Sequence, residues 1–299
     1  MYFDMSNPLV SIVTITRNRG NMLKRCIEST LSQSYTNIEH IVVDGASDDN
    51  TDDVVSSFQD ARLRFFKLDY NWQLHATAEF AYSKCNGKYI TFLDSDDEYL
   101  PSKIEKQVSL IESLPDDFGF VYCWMTYYDT SNNNSIIKVH KPELRGDVKD
   151  EVIGQPIISG SPTLLFHMDF FRELGGWKSR EEVGIGSDWE LCARACQSKK
   201  VDYVAESLVN VYINHGSVRQ SETTKYYDDI CHRRIKFHTY FLSQFKNNFA
   251  RRPRQLVYHY QGLALSYYQL KDYKNSFVYF FKALCSNPRV FVKNLFARV

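Results

Sequence analysis

The chain has 299 residues, of which 43% are hydrophobic and 15% aromatic, so it can bury a full core and is expected to be a folded globular protein. It contains no signal-peptide pattern and no run of about 18 uncharged apolar residues, which predicts a cytoplasmic protein that does not span a membrane. Its 36 basic and 36 acidic residues balance, and its seven cysteines lack zinc-site spacing, which favours reduced, buried thiols.

The first 100 residues alternate strand and helix patterns. Strands are predicted for the apolar, β-branched stretches 9–16, 40–44, 62–69 and 88–94, and helices for 21–33, 51–59 and 77–85. This alternation predicts an α/β fold with a mostly parallel central sheet flanked by helices. In such sheets ligands bind beyond the carboxyl ends of the strands, so the residues at those ends are the first candidates for a site.

Four acidic residues crowd at the end of the last of these strands: Asp94, Asp96, Asp97 and Glu98. Carboxylates so close together repel one another and lose hydration unless a cation lies among them. Mg²⁺ or Mn²⁺ suits an Asp-x-Asp pair, because such an ion takes one or two carboxylates and completes its coordination with water and phosphate oxygens. The alternative is a solvated acidic turn that caps a helix beginning near Pro101.

A resemblance to a known family rests on two stretches, PLVSIVTITRNRGNMLKRCIESTLSQSYTNIEHIVVDGASDDNT and GKYITFLDSDDEYLPSKIEKQV. Both resemble family-2 glycosyltransferases, which are inverting enzymes that use sugar nucleotides and have the GT-A fold. The resemblance covers about residues 8 to 220, with the motifs in the family's order. It implies a GT-A domain over 1–225, with a Rossmann-like nucleotide-binding half, and leaves 226–299 as a helical C-terminal region.

The resemblance also implies where the donor nucleotide binds. The end of the first strand corresponds to the segment that cups the nucleotide, and Asp44 to a carboxylate that lies against the base. A carboxylate accepting from the uracil N–H would favour uridine over cytidine, whereas the alternative role of Asp44 is to form the turn before Gly45. The implied donor-binding residues are Thr14, Thr16, Arg17, Asp44, Asp94, Ser95 and Asp96, with Asp97 as a further candidate.

By the same resemblance, Asp96 and His215 are the implied ligands of Mn²⁺ or Mg²⁺. His215 and Arg219 lie in VYINHGSVRQS, which resembles the family's closing segment near the metal and diphosphate; a structural histidine is the alternative. One departure concerns the residues before the Asp-x-Asp strand. Many relatives carry Ala-Arg-Asn there, with an arginine that approaches the diphosphate, whereas this chain has Thr77-Ala78-Glu79.

Asp188 is the implied catalytic base. It follows Ser187 at the start of a predicted helix, where the family carries an acidic pair whose aspartate takes the proton from the acceptor hydroxyl. Trp189 and Arg194 also fit the family's pattern. An ordinary helix N-cap is the alternative role of Asp188.

The C-terminal residues differ in charge and organisation. From Cys231 to Val299 there are 13 Lys and Arg against one acid, Asp272, which predicts that this region faces an anionic surface. Phe291, Val292, Leu295, Phe296 and Val299 fall on one helical face, which is typical of an interfacial helix or of a helix docked on a core. The spacing of a tetratricopeptide-like helix pair is met by Tyr260, Leu263, Ala264, Tyr267, Tyr273, Phe280, Ala283 and Pro288.

These features together predict a metal-dependent, inverting transferase that moves a sugar, most simply from a UDP-sugar, to an acceptor hydroxyl. The family and the basic tail suggest bacterial surface polysaccharide assembly on a lipid-linked saccharide, at the inner face of the cell membrane, without nucleic acid. A phosphotransferase is disfavoured because no Gly-Thr follows the second aspartate, and NAD chemistry because no GxGxxG follows the first strand. An inactive GT-A scaffold whose helical tail binds a protein is the remaining alternative.

Overall fold

The computed structural model describes residues 7–70, 74–158, 160–214 and 227–296, with side chains up to residue 293 in the last range. These residues form two compact units. The sheet unit comprises the described residues of 1–146, 160–177 and 199–215, and the helical unit those of 147–159, 178–198 and 216–299. The predicted division of the chain at residue 225 stays a prediction.

One mixed sheet of nine strands is seen in the described residues, in the order β3-β2-β1-β4-β8-β6-β9-β5, with β7 paired to β6. Strands β1 to β4 are parallel to one another, as their alternation with helices predicted. Strand β8 is antiparallel to both β4 and β6, whereas β6 and β9 are parallel. The α/β fold class is therefore confirmed. The strands are β1 Val10–Thr16, β2 Ile38–Asp44, β3 Leu63–Lys67, β4 Tyr89–Phe92, β5 Glu98–Tyr99, β6 Phe118–Asp129, β7 Ser135–His140, β8 Leu165–His167 and β9 Lys200–Ile213.

Helices connect the strands and make up most of the helical unit. In the sheet unit they are α1 Gly20–Leu31, α2 Thr51–Ser56, α3 Leu74–Ser83, α4 Lys103–Ser113 and α5 Met168–Glu173. In the helical unit they are α6 Arg180–Val183, α7 Ser187–Ala195, α8 Tyr227–Gln244, α9 Lys246–Arg251, α10 Leu256–Gln269, α11 Tyr273–Ser286 and α12 Pro288–Phe296. None of the described helices is long and apolar enough to cross a bilayer.

A buried polar contact joins three neighbouring strands of the sheet. The Thr14 hydroxyl on β1 donates to the carbonyl of Leu93, just beyond β4, at 2.8 Å, and lies 2.9 Å from Nε2 of His40 on β2. The other ring nitrogen of His40 lies 2.7 Å from the Thr30 hydroxyl on α1. Complete burial lowers the pKa of His40 to about 3, so the ring is neutral and needs no counter-ion. The strand ends that carry the predicted site are thus fixed relative to one another.

Lys103 is buried beneath the acidic segment that follows β4. Its ammonium donates to the Thr91 hydroxyl at 3.0 Å and lies 4.0 Å from the centre of the Tyr99 ring. Burial lowers the pKa of Lys103 from 10.5 to about 7, because the charged form loses its hydration. Burying Lys103 in its charged form therefore lowers the free energy of unfolding.

We expect Lys103→Met to raise the free energy of unfolding near pH 7, on the order of 1 kcal/mol, because a residue of similar volume replaces a buried cation. Between about pH 7 and pH 10.5 the unfolded wild type binds more protons than the folded one, so rising pH stabilises it and the variant's advantage shrinks. Urea unfolding from about pH 7 to pH 9 measures this difference. Lys106→Met, at an exposed position on α4, is the control, and equal pH slopes for all three proteins would contradict the prediction.

The core of the helical unit is built around Trp189 on α7. Its ring packs against Phe237 and Phe241 of α8 and stacks on His259 of α10, while its N–H donates to the carbonyl of Val152. Trp189 is 3% exposed, so the structure gives it a packing role within this unit. Helix α8 also packs against α10, because His238 of α8 lies against His259 and Gly262.

Helices α10 and α11 form the predicted tetratricopeptide-like pair. Tyr267 and Tyr279 stack across it with ring centroids 5.6 Å apart, and the Ser276 hydroxyl donates to the carbonyl of Ala264 at 2.9 Å. Phe291 of α12 is 4% exposed and packs with Val257 and Ala283 of this pair, as expected for a helix docked on a core. The neighbouring Val292 is 47% exposed. The side chains of Leu295, Phe296 and Val299 lie outside the described residues.

Candidate active site

The loops that follow β1 and β2 hold each other at the carboxyl edge of the sheet. The backbone N–H of Asn18 donates to the Ser47 hydroxyl at 2.8 Å, and the Asn18 side chain accepts from the N–H of Asp48 at 3.0 Å. Asp49 accepts from the N–H of Gly20 at 2.9 Å, which ties the start of α1 to the second loop. These reciprocal bonds give the edge a defined shape in which polar groups from two loops converge.

Asp44 closes the second of these loops. Its carboxylate accepts from the backbone N–H of Ser47, at 3.0 Å for the nearer oxygen, and also from the Ser47 hydroxyl. The residue is fully buried, and it pairs in register with Thr16 at the end of β1. The geometry therefore supports the turn-forming role of Asp44 directly, and its contact with a nucleotide base stays a prediction.

The acidic segment after β4 is a tight turn in which the N–H of Asp97 donates to the carbonyl of Asp94 at 3.0 Å. Asp94 is exposed, Asp96 is partly exposed, and Asp97 is buried. Burial raises the pKa of Asp97 well above its usual range, and the negative charges of Asp94 and Asp96 add to this, against the N–H of Tyr212 and the charge of Arg25. Burial and the neighbouring carboxylates thus both disfavour the charged form of Asp97.

Three residues that the sequence pattern did not single out hold this turn: Arg19, Arg25 and Tyr212. Arg19 pairs with Asp96 at 3.0 Å, and Arg25 donates to the Asp96 carbonyl at 2.6 Å. The Arg25 guanidinium also lies 3.7 Å from the centre of the Tyr212 ring, and the N–H of Tyr212 donates to Asp97 at 3.1 Å. Of these three residues, only Arg19 could have been suspected from the sequence, because it lies just after the segment predicted to bind the nucleotide.

Three of the predicted donor-binding residues carry a hydroxyl group, and these groups lie in two different environments. Thr14 is fully buried and its hydroxyl serves the strand contacts described above, which differs from the expected nucleotide contact. Thr16 and Ser95, at the ends of β1 and β4, have buried hydroxyl oxygens for which no partner is found among the described residues. Such groups are costly unless a ligand or water satisfies them, so they mark this edge as a place where a polar ligand binds. Arg17 is exposed in the same loop.

The acidic turn suits a hard divalent cation. Its exposed and partly exposed oxygens belong to Asp94 and Asp96, and carboxylate oxygen is the ligand that Mg²⁺ and Mn²⁺ prefer. Within the described ranges no three His, Cys, Asp or Glu side chains are grouped to hold a metal alone. This fits an ion that takes few ligands from the protein and the rest from phosphate and water. His215 and Arg219, the other predicted residues, lie outside the described part of the chain.

Asp188 lies in the helical unit, in the first turn of α7 and one residue after its start, so it is not the N-cap, which is Gly186. Its side chain is half-buried. Next to it, the fully buried Glu190 accepts two bonds of 2.9 Å from Arg194 and one of 2.8 Å from the Tyr240 hydroxyl. With Trp189 in the core, these contacts fix the turn that presents Asp188. Arg194 is thereby a positioning residue on this helix.

A family model described as Glycosyl transferase family 2 matches residues 11–171, a range that contains both loops and the acidic turn. The chain belongs to this family. Among relatives of this family-2 glycosyltransferase, an uncharacterized glycosyltransferase of Rickettsia typhi is 33% identical over 73% of this chain and 66% of its own length. A UDP-Glc:alpha-D-GlcNAc-diphosphoundecaprenol beta-1,3-glucosyltransferase of Escherichia coli is 35% identical over 44% of this chain and 51% of its own length. The chain thus spans about half to two thirds of these relatives.

Solved structures confirm the GT-A fold of this family-2 protein. Staphylococcus aureus TarS, residues 1–349, in complex with UDP-GlcNAc, superposes with a TM-score of 0.62 at 14% identity, covering 92% of this chain and 90% of that one. A mannosyltransferase of Pyrobaculum calidifontis in complex with GDP-Man and Mn²⁺ superposes with a TM-score of 0.57 at 14% identity, covering 95% and 88%. At 14% sequence identity, these superpositions show a similarity of fold alone.

The ion pair between Arg19 and Asp96 generates a prediction about metal binding. We expect Arg19→Ala to lower the melting temperature slightly, because a partly exposed pair contributes about 0–1 kcal/mol. Mn²⁺ should then raise the melting temperature of the variant more than that of the wild type, since the guanidinium no longer competes for Asp96. Differential scanning fluorimetry with and without Mn²⁺ measures both effects.

Lys24→Ala is the matched control for this experiment, because Lys24 pairs with Glu28 on the exposed side of α1 at 3.9 Å. Its response to Mn²⁺ should equal that of the wild type. An Arg19→Ala variant that responds to Mn²⁺ no more strongly than this control would show that Arg19 and the metal do not share Asp96.

Proposed function

We propose that this family-2 protein is an inverting glycosyltransferase that moves a sugar from a UDP-sugar to an acceptor hydroxyl. The observation that carries the proposal is the acidic turn after β4, which lies beside two loops tied to each other at the carboxyl edge of a parallel half-sheet. Ligands of α/β sheets bind at this edge. The unpartnered hydroxyls of Thr16 and Ser95 add polar groups that a nucleotide diphosphate could satisfy.

The UDP donor is supported by the relatives and by one carboxylate. TarS is complexed with UDP-GlcNAc, and the Escherichia coli relative is a UDP-Glc transferase, although the Pyrobaculum enzyme holds GDP-Man. In this chain Asp44 would accept from the uracil N–H, and Thr16, Arg17 and Ser95 would contact the rest of the nucleotide. Many relatives have an arginine near the diphosphate where this chain has Thr77-Ala78-Glu79. Arg19, which pairs with Asp96, would supply that guanidinium instead.

Asp96 would hold the metal together with His215, with Asp94 and Asp97 as neighbouring carboxylates. A bound Mg²⁺ or Mn²⁺ supplies charge neutralisation to the diphosphate that leaves. Arg25 and Tyr212 would hold the turn in place, because Arg25 donates to the carbonyl of Asp96 and the N–H of Tyr212 donates to the buried Asp97.

Asp188 would take the proton from the acceptor hydroxyl. That oxygen then attacks the anomeric carbon from the face opposite the leaving diphosphate, which inverts the configuration and needs no covalent intermediate. The contacts of Trp189 and Glu190 support this role, since a base must be held in place to act.

The acceptor is proposed to be a saccharide on a lipid diphosphate carrier, in surface polysaccharide assembly. The name of the Escherichia coli relative gives a diphosphoundecaprenol-linked acceptor for that enzyme. After Ile230 the chain has 13 basic residues against one acid. These charges would hold such an enzyme on the anionic inner face of the membrane as a peripheral protein.

We expect Asp96→Ala to abolish Mn²⁺-dependent hydrolysis of UDP-sugar and transfer from it, because the variant lacks a metal ligand. Its melting temperature should change little or rise, since one of three crowded carboxylates is gone. Asp52→Ala, which removes an exposed partner of Lys67, is the control and should keep full activity. Near-normal turnover of the Asp96→Ala variant would contradict the metal role. A wild type that shows neither hydrolysis nor nucleotide binding would favour an inactive scaffold.

We expect Asp188→Asn to lower transfer by roughly 10²- to 10⁴-fold, because the amide keeps the shape of the side chain but cannot accept the proton. The thermal shift caused by UDP-sugar with Mn²⁺ should be unchanged. A loss of binding as large as the loss of rate would instead identify Asp188 as a structural or donor-binding residue.

A further inference from the structure

Helix α11 carries an aromatic face that the described residues of the helical unit leave uncovered. We define the face by Tyr268, at the end of α10, and by Tyr273, Phe277 and Phe281, which recur every four residues along one side of α11. Their exposed fractions are 61%, 62%, 65% and 43%. The Phe277 and Phe281 rings lie 4.5 Å apart, and those of Tyr268 and Tyr273 lie 5.9 Å apart, so the rings form contacting pairs.

The opposite side of α11 is already occupied. Ala283 is fully buried against Val257 and Phe291, Tyr279 stacks on Tyr267, and Ser276 bonds to α10. The aromatic face therefore cannot turn inward without breaking the helix pair. Several exposed aromatic rings on one face are unusual for a surface that meets only water, because exposed apolar surface is unfavourable relative to burial.

The charges around the face identify its partner. Lys271 and Lys274 are exposed at the turn before α11 and in its first turn, and Arg289 and Lys293 are exposed on α12. The one acid after Ile230, Asp272, caps α11, where it accepts from the N–H of Asn275 at 3.1 Å. Aromatic rings beside several basic residues and a single carboxylate match an apolar phase with an anionic border.

We infer that the aromatic face of α11 inserts into the headgroup region of an anionic lipid bilayer. The rings would lie at the boundary of headgroups and acyl chains, and the lysines would reach the lipid phosphates. This inference rests on the proposed function, in which the acceptor is carried by a membrane lipid.

The structure also limits what α12 and the arginines before α10 can contribute to the contact. Phe291 is buried in the helix pair, so the face of α12 is not available as a whole. Arg251 and Arg252 lie 3.0 and 3.7 Å from Asp150, so these two of the 13 basic residues are partly neutralised. Truncation before Arg289 would therefore expose the core of the pair and test folding more than membrane binding.

The test uses the full chain and vesicles of phosphatidylcholine alone or with about one third phosphatidylglycerol. We expect flotation with the anionic vesicles, roughly tenfold or more above the neutral ones, and release as salt rises. Phe277→Ser with Phe281→Ser should lower binding to anionic vesicles roughly tenfold, and Lys271→Glu with Lys274→Glu should do the same. These positions are exposed, so the melting temperature should be unchanged.

Two matched controls lie in the sheet unit. Ile136→Ser with Ile137→Ser removes apolar side chains that are 62% and 47% exposed on β7, and Lys24→Glu reverses a charge on α1. Both should bind vesicles like the wild type. A second readout is a polarity-sensitive fluorophore on Cys285, the one exposed cysteine of the seven. Its emission should shift to the blue with anionic vesicles in the wild type and not in the double-Ser variant.

Binding of the Phe277→Ser, Phe281→Ser variant at wild-type level, or equal binding of the wild type to neutral and anionic vesicles, would overturn the inference. The inference would also be overturned if the wild type bound no vesicles but self-associated, and if the double-Ser variant lost this self-association. A second copy of the chain would then cover the face. Mn²⁺-dependent hydrolysis of UDP-sugar is measured on the same proteins and should be unaffected by the double-Ser change. Vesicle binding without hydrolysis would reject the proposed enzyme activity and leave the membrane contact standing.

Discussion

The hydroxyl of Thr14 is the contact on which the arrangement at the sheet edge depends. It joins β1 to the end of β4 through Leu93 and to β2 through the neutral ring of His40, and all three residues are buried. A buried hydroxyl without these partners would cost roughly 1–3 kcal/mol, so the strands are held at one level. Asp44 and the acidic turn follow directly from strands fixed in this way.

The second constraint is the charge of the acidic turn. Three aspartates within four residues would repel one another, and the chain meets this with Arg19 on one carboxylate and Arg25 on the backbone. Tyr212 supports the buried Asp97 from β9, so strands distant in sequence cooperate at one turn. Burial still raises the pKa of Asp97, and the charges of Asp94 and Asp96 add to this. A turn of this kind gains stability when a further cation binds.

The helical unit combines a densely packed centre with an uncovered surface. Around Trp189, aromatic rings of α8 and α10 fix the start of α7, where Asp188 lies. At the other end, α11 uses its small residues against α10 and α12 and presents its aromatic rings outward. The proposed base is thus held by packing, and the proposed membrane contact is made of side chains that packing leaves out.

Local pattern determined much of this protein from sequence alone. The alternation of apolar strands and amphipathic helices predicted the parallel half of the sheet and the helix pair, because periodicity reflects which side of each element is buried. The crowding of Asp94, Asp96 and Asp97 predicted an anionic strand end. Tertiary structure alone decided the mixed half of the sheet, the burial of Thr14, the contacts of Arg19, Arg25 and Tyr212, and the exposure of Phe277 and Phe281. Each of these depends on which distant element lies opposite a residue, and a pattern within one segment does not contain that information.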